Sequence, residues 1–154
     1  MTRRRLNGRR GVLPVANERT IGPNEKILRE ACAHSERGEF HHVVFLFSPT
    51  IRWRSPGKAN RLETAGERQG INEVHAYAAI SQRHWTMQTM RIHEIIAHND
   101  TRFAVHSTVE VRNNSTGQLA RVEKVDLVTM NDGQIVDFAE YLDTAVLERA
   151  SRPR

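Results

Sequence analysis

Two carboxylates, Asp126 and Glu140, flank a turn signal, Asn131-Asp132-Gly133, in a stretch otherwise rich in Val, Ile and Phe. Acids set among apolar side chains have their proton affinities pushed apart, and such pairs can accept and deliver protons. Whether these two meet depends on hairpin register. A three-residue loop, with Gly133 in the left-handed bulge position, sets Met130 opposite Gln134. Asp126 then faces Phe138, and Glu140 lies one diagonal step away, roughly 7–8 Å. On that register Asp126, Val128, Val136, Phe138 and Glu140 share one face, while Val125, Leu127, Ile135, Ala139 and Tyr141 share the other. A two-residue Asp-Gly turn would send one carboxylate to the opposite face. The plainer alternative is that both acids lie on a solvated sheet face, where strand acids usually sit.

His106, with strand residues on both sides, is the candidate proton carrier, and Lys124 and Asp126 are its expected neighbours. Glu110 shares the face of His106 and offers a third acid. Lys124 could instead neutralise these carboxylates through surface pairs. Trp53 and Ser55 have one strand parity; with Trp85, Tyr77 and Phe138 they are the expected lining of a ligand pocket or of the core. The pair His41-His42 points in two directions, and His34, His75, His84, His93 and His98 show no closed ligand spacing. No metal is expected. Cys32 has no implied base beside it and reads as a buried thiol.

The elements that must position these residues follow from periodicity. Gly22-Pro23-Asn24 suits a helix entry with Asn24 as cap, and Ile27, Leu28, Ala31 and Cys32 then form one stripe. A second helix is predicted from about Phe40 to Phe47, ending before Ser48-Pro49. Thr50–Ser55 alternates and is β-prone, and residues 57–69 are polar and read as a loop. A third helix spans about Gly70 to Ser81, with Ile71, Val74 and Ala78 inward and Tyr77 on its flank. From Trp85 the period changes to two, giving strands at about 85–97, 102–112, 118–130 and 134–142. Helices followed by antiparallel strands indicate an α+β layer fold. No βαβ alternation or glycine-rich phosphate loop points to nucleotide binding.

The net charge of +5 is local: residues 1–20 carry six arginines and one glutamate, so the remainder is neutral. A nucleic-acid-binding face is therefore not expected on the folded body, and residues 1–22 read as a basic arm beside a domain at 23–147 and a short tail at 148–154. Such an arm could still contact polyanions. With Cys32 alone no intramolecular disulfide can form, and no stretch approaches the ~18 apolar residues of a membrane span. A cytoplasmic protein is the expectation.

The tail Asn131-Asp132-Gly133-Gln134-Ile135-Val136, followed by Glu140-Tyr141-Leu142-Asp143-Thr144, resembles the ending of SnoaL-like domains. These belong to the nuclear transport factor 2-like superfamily, with ketosteroid isomerase and limonene epoxide hydrolase. Thr50–Gly57 is similar to the family's first strand and Gly66–Gly70 to its helix lead-in, so the resemblance covers about residues 24–145. It implies a cone-shaped, curved antiparallel sheet wrapped by three helices, a cystatin-like roll with a deep pocket. It also implies pairing of two chains through the outer sheet face, where Val125, Leu127, Ile135 and Tyr141 would form an apolar patch.

By the same resemblance, Glu140 falls where the cyclases and the epoxide hydrolase have a general base. Asp126 falls at the isomerase's oxyanion-hole acid, and Glu110 near the hydrolase's second aspartate. Ser55 stands where the isomerase has its base, Ala31 where it has its oxyanion-hole tyrosine, and Thr108 where the hydrolase has its arginine. The implied function is cofactor-independent isomerisation, cyclisation, dehydration or hydrolysis of a hydrophobic small molecule by Glu140, Asp126 and His106. A non-catalytic small-molecule-binding or dimeric module of the same fold is the alternative.

Overall fold

Alternation along Arg102–Asn113 (β4) sets the plan of the molecule: Phe103, Val105, Ser107, Val109 and Val111 are buried, while Arg102 and Arg112 are exposed. The computed structural model describes residues 19–59 and 61–153. Helix α1 (Pro23–Glu36) and the short α2 (His41–Val44) precede strands β1 (Phe47–Ser55) and β2 (Gly66–Gln69). Helix α3 (Ile71–His84) leads directly into β3 (Trp85–Ala97), then β4, β5 (Leu119–Asn131), β6 (Gln134–Leu142) and α4 (Thr144–Ala150). The six strands form one sheet in the order β2-β1-β6-β5-β4-β3. All neighbours are antiparallel except β1 and β6, which run parallel. This is the expected α+β roll.

The core lies between the inner sheet face and the helices. Leu28 and Cys32 of α1 and Val74 of α3 pack with Phe47, Ile51, Trp53, Phe103, Val105, Val128, Met130, Ile135 and Phe138. Trp53 stacks on Phe138 at 4.3 Å between centroids, and Phe47 meets both edge-on. A second cluster of Val109, Val111, Ala120, Val122 and Ala150 closes the other end under α4.

Several boundaries differ from expectation. Helix α2 stops at Val44 and Phe47 already belongs to β1. A residue before proline avoids the helical region, so Ser48 must be extended, and the strand runs on through Pro49 with a register shift. The polar segment 66–69 is an edge strand rather than loop, pairing with Arg52–Ser55. Its partner supplies the ladder on one side only, so no apolar alternation marks it. The expected tail is partly helix: Asp143 caps α4 by accepting from the amide of Ala145 at 3.0 Å. Asn24 is not the cap of α1. The carboxylate of Asp100, in the β3–β4 turn, accepts from the amides of Asn24 and Glu25 at 3.2 and 3.0 Å. A Cβ on Gly22 would lie 2.2 Å from that carboxyl group, so only glycine admits this contact. The arm expected at 1–22 lies almost wholly outside the described residues.

The hairpin is the main correction. Asp132 and Gly133 both have positive φ, 47° and 79°, and Asn131 pairs with Gln134. That is a two-residue turn of the primed type, whose twist suits a hairpin. Continued regularly, it would place Glu140 on the outer face. Instead a register shift between Thr129 and Met130 absorbs Val136, after which Thr129 pairs with Asp137, Val128 with Phe138 and Asp126 with Glu140. The bulge restores the parity that the turn removes. Ile135 therefore points inward and is fully buried, contrary to its expected place on the outer patch, and Val136 is the bulged residue. Leu127 and Tyr141 do stand exposed on the outer face, with Ile96 nearby.

Candidate functional site

Direct pairing of Asp126 with Glu140 brings the two carboxylates side by side on the inner face, 4% and 9% exposed. Between them lies the Lys124 ammonium, 3.0 Å from Asp126 Oδ2 and 3.2 Å from Glu140 Oε1. Tyr77, from α3, donates its hydroxyl to Glu140 Oε2 at 3.1 Å. Its ring rests against Trp53 at 5.1 Å and under the Arg68 guanidinium at 4.7 Å. Helix, bulged strand and straight strand thus converge on one buried cluster.

The cluster forms the polar end of a cavity of roughly 100 Å³. Ser55, Tyr77, Ser81, Trp85, Lys124 and Glu140 face it. Its walls are apolar: Leu62, Met87, Val109, Val111, Val122, Leu142 and Leu147. Asp126 does not line it and lies behind Lys124. Leu62, Met87 and Leu147 were not anticipated. Leu147 reaches the cavity only because α4 folds back across the second core cluster.

Two carboxylates share one ammonium, so the buried charge does not balance when all three groups are ionised. Burial pushes the Asp126 carboxyl up to about 6; the adjacent Lys124 opposes this and Glu140 adds to it. Burial alone would lower Lys124, but Asp126 and Glu140 more than offset that and raise it. It stays an ammonium at neutral pH. Tyr77 is raised well above the ordinary phenol value by burial and by Glu140, so it remains a donor. Asp126 Oδ1, Ser107 Oγ and Trp53 Nε1 are buried with no hydrogen-bond partner among the described residues. Burial also pushes the Cys32 thiol up to about 12, as expected for an inert cysteine.

The raised Asp126 has a testable consequence for stability. The folded state holds this proton at pH values where the unfolded chain, with a pKa near ~3.9, has already lost it. Stability contributed by the proton is therefore present at about pH 4 and lost as pH rises through about 6. About two units correspond to roughly 3 kcal/mol. The difference in unfolding free energy between wild type and Asp126→Asn, measured by urea titration from pH 4 to 7, is expected to change by this order. A flat difference would contradict the assignment.

The remaining sequence candidates are distributed otherwise. Trp53, Ser55, Tyr77, Trp85 and Phe138 lie on the inner side, Trp53 and Phe138 as core aromatics rather than cavity wall. His106 does not join Asp126: it belongs to the outer face, where its Nε2 meets Glu123 Oε1 at 2.7 Å. Glu110 is on that same face, opposite Arg121. The signal was available, since Phe103, Val105, Val109 and Val111 all have the opposite parity to His106. Lys124 does pair with the carboxylates, as its place beside Asp126 suggested, but from the inner face and largely buried rather than through surface pairs.

Residues 28–138 match the SnoaL-like domain family. The chain belongs to that family. No curated protein sequence matches it. Among solved structures, a nuclear transport factor 2-like protein of unknown function from Burkholderia pseudomallei is 25% identical, with 82% of this chain and 95% of that one covered and a TM-score of 0.72. Another from Burkholderia thailandensis is 17% identical over 84% and 98%, with a TM-score of 0.73. TerC, co-crystallised with polyporic acid, is 20% identical over 84% and 98%, with a TM-score of 0.72. These SnoaL-like and related folds share the roll described above. No helix among the described residues of this member is long and apolar enough to cross a membrane.

Proposed function

We propose that this SnoaL-like protein is a small-molecule enzyme in which Glu140 moves a proton to or from a hydrophobic substrate. The observation that carries this reading is the buried, face-to-face pair of Asp126 and Glu140 around Lys124, with Glu140 at the wall of an apolar cavity. Glu140 serves as general base. The Lys124 ammonium and Tyr77 hydroxyl hold its two oxygens and can stabilise negative charge that develops on the substrate. Asp126 sets the charge on Lys124 from behind the cavity. Ser55 reaches the wall without a carboxylate, which leaves Glu140 as the acid best placed for catalysis. Isomerisation, cyclisation, dehydration and hydrolysis all fit this set. His106, on the outer face, has no role in it.

A panel of small carbonyl compounds incubated in deuterium oxide tests proton abstraction without knowledge of the product. NMR should detect deuterium entering next to a carbonyl with wild type and not with Glu140→Gln. Equal exchange in both proteins would overturn the reading. The alternative is a binding module, favoured by the pairing of Glu140 with Lys124 and by the TerC complex with polyporic acid. It predicts thermal stabilisation by a ligand that is recovered unchanged.

A homodimer is part of the proposal, with exposed Leu127 and Tyr141 beside Ile96 on the outer sheet face as its apolar centre. Sedimentation at micromolar concentration should give twice the chain mass, and a Leu127→Asp variant should run as a monomer. A monomeric wild type would remove this part.

A further inference from the structure

Histidines that look scattered along the chain meet at the junction of α1 and α2. His34 lies in the last turn of α1, Glu39 in the connection and His42 in α2, separated by four and two residues. Their donor atoms, His34 Nδ1, Glu39 Oε2 and His42 Nε2, all lie within 4.8 Å of one another. Gly38, at φ 82°, turns the chain so that the Glu39 amide donates back to the His34 carbonyl at 3.0 Å. The rings of His34 and His42 stack at 3.5 Å between centroids.

The contacts of His34 Nδ1 conflict. It faces the Arg37 guanidinium, a donor, at 2.8 Å, and also the Glu39 carboxylate, an acceptor. A ring nitrogen carries either a proton or a lone pair, so one of these contacts is always mismatched. A divalent cation removes the conflict by taking both the Nδ1 lone pair and the carboxylate. Arg37, 55% exposed and 3.5 Å from the Glu39 carboxylate, would give up both contacts and turn into solvent.

We propose that His34, Glu39 and His42 bind a divalent transition-metal ion of the zinc, cobalt and nickel class. Two imidazoles and one carboxylate match the preference of these ions, whereas calcium and magnesium demand oxygen ligands. Bonds of about 2.1 Å in tetrahedral geometry place donor atoms ~3.4 Å apart, so His34 and Glu39, in direct contact, must open while His42, 3.8 Å from Glu39, closes in. The stacked rings must also fan apart, and side-chain exposures of 24% for His34 and 37% for His42 leave room for that rotation. None of the three residues lines the Glu140 cavity, so the ion would fasten α1 to α2 independently of the proposed chemistry.

Calorimetric titration of the chelator-treated full chain with zinc chloride provides the test. One ion per chain should bind, and cobalt should give the visible absorption of a four-coordinate site, while magnesium should give no heat. Loss of a supporting outer-shell group typically costs 10–100-fold in affinity, so His34→Ala and His42→Ala should each lose at least about tenfold. Circular dichroism checks that both variants fold; should either fail, Glu39→Gln with the cobalt absorption decides instead. Absence of stoichiometric zinc binding by wild type would overturn the proposal. So would zinc affinity that is the same in wild type and in the folded variants, because the ion would then sit on other histidines.

Discussion

Replacing Lys124 by methionine is expected to cost about 3–5 kcal/mol of folding stability at pH 7, because it leaves two buried carboxylates without their cation. Methionine preserves most of the side-chain volume, so a cavity adds little. Among the described residues, the Tyr77 hydroxyl is the other side-chain partner of Glu140, and Asp126 has Lys124 alone. The loss should shrink as pH falls, because without Lys124, which lowers it, the Asp126 carboxyl takes up a proton at higher pH than in wild type and one charge disappears. Urea denaturation at pH 7 and pH 4.5 measures both effects. The triple variant Lys124→Met, Asp126→Asn, Glu140→Gln should regain much of the loss, since no uncompensated charge is left inside. A single-variant cost below about 1 kcal/mol would mean that water reaches the cluster and screens it, as for surface pairs.

Glu140→Gln is expected to lower proton-transfer activity by about 10²- to 10⁴-fold, the usual contribution of a positioned base. The amide keeps the size of the side chain and can still accept from Tyr77, so a large drop would reflect lost basicity rather than lost packing. Asp126→Asn should act differently. Asp126 does not face the cavity, and its influence passes through Lys124. Wild type should therefore show an inflection in rate near pH 6 that Asp126→Asn removes, with a smaller change in the plateau rate. His106→Ala should leave the rate unchanged, because that ring bonds Glu123 on the outer face. Rates for Glu140→Gln within about threefold of wild type would transfer the chemistry elsewhere in the cavity.

Much of the architecture was legible from residue spacing. Period-two alternation from Trp85 onward located four strands nearly to their ends, and the Ile27, Leu28, Ala31, Cys32 stripe marked the face that α1 buries. These patterns are local consequences of helix and strand geometry. The edge strand at Gly66–Gln69 was not legible, because a strand paired on one side and wet on the other has no apolar rhythm. Nor was the reach of α4 into the cavity, which depends on packing against Val109, Val111 and Val122.

The hairpin shows where local chemistry stops. Asn131-Asp132-Gly133 announced a turn, and Asp126 and Glu140 announced a pair of acids, but neither specified how many residues the loop would use. A three-residue loop and a two-residue turn followed by a bulge place Glu140 on the same face, by different routes and with different partners. Asn24, 109 residues from Gly133 in sequence, accepts from the Gly133 amide at 2.8 Å, so α1 itself secures the chosen turn. Ile135 and Phe138, of opposite parity, both enter the core because Val136 takes up the extra step. By itself the sequence determined most element types and the acids, which follow from periodicity and residue chemistry, and its resemblance to the family implied the roll. Only the tertiary structure decided that Asp126 meets Glu140 around Lys124 and that His106 does not. Side-chain parity becomes a shared face only after strands choose a register, and burial energy across the whole core makes that choice.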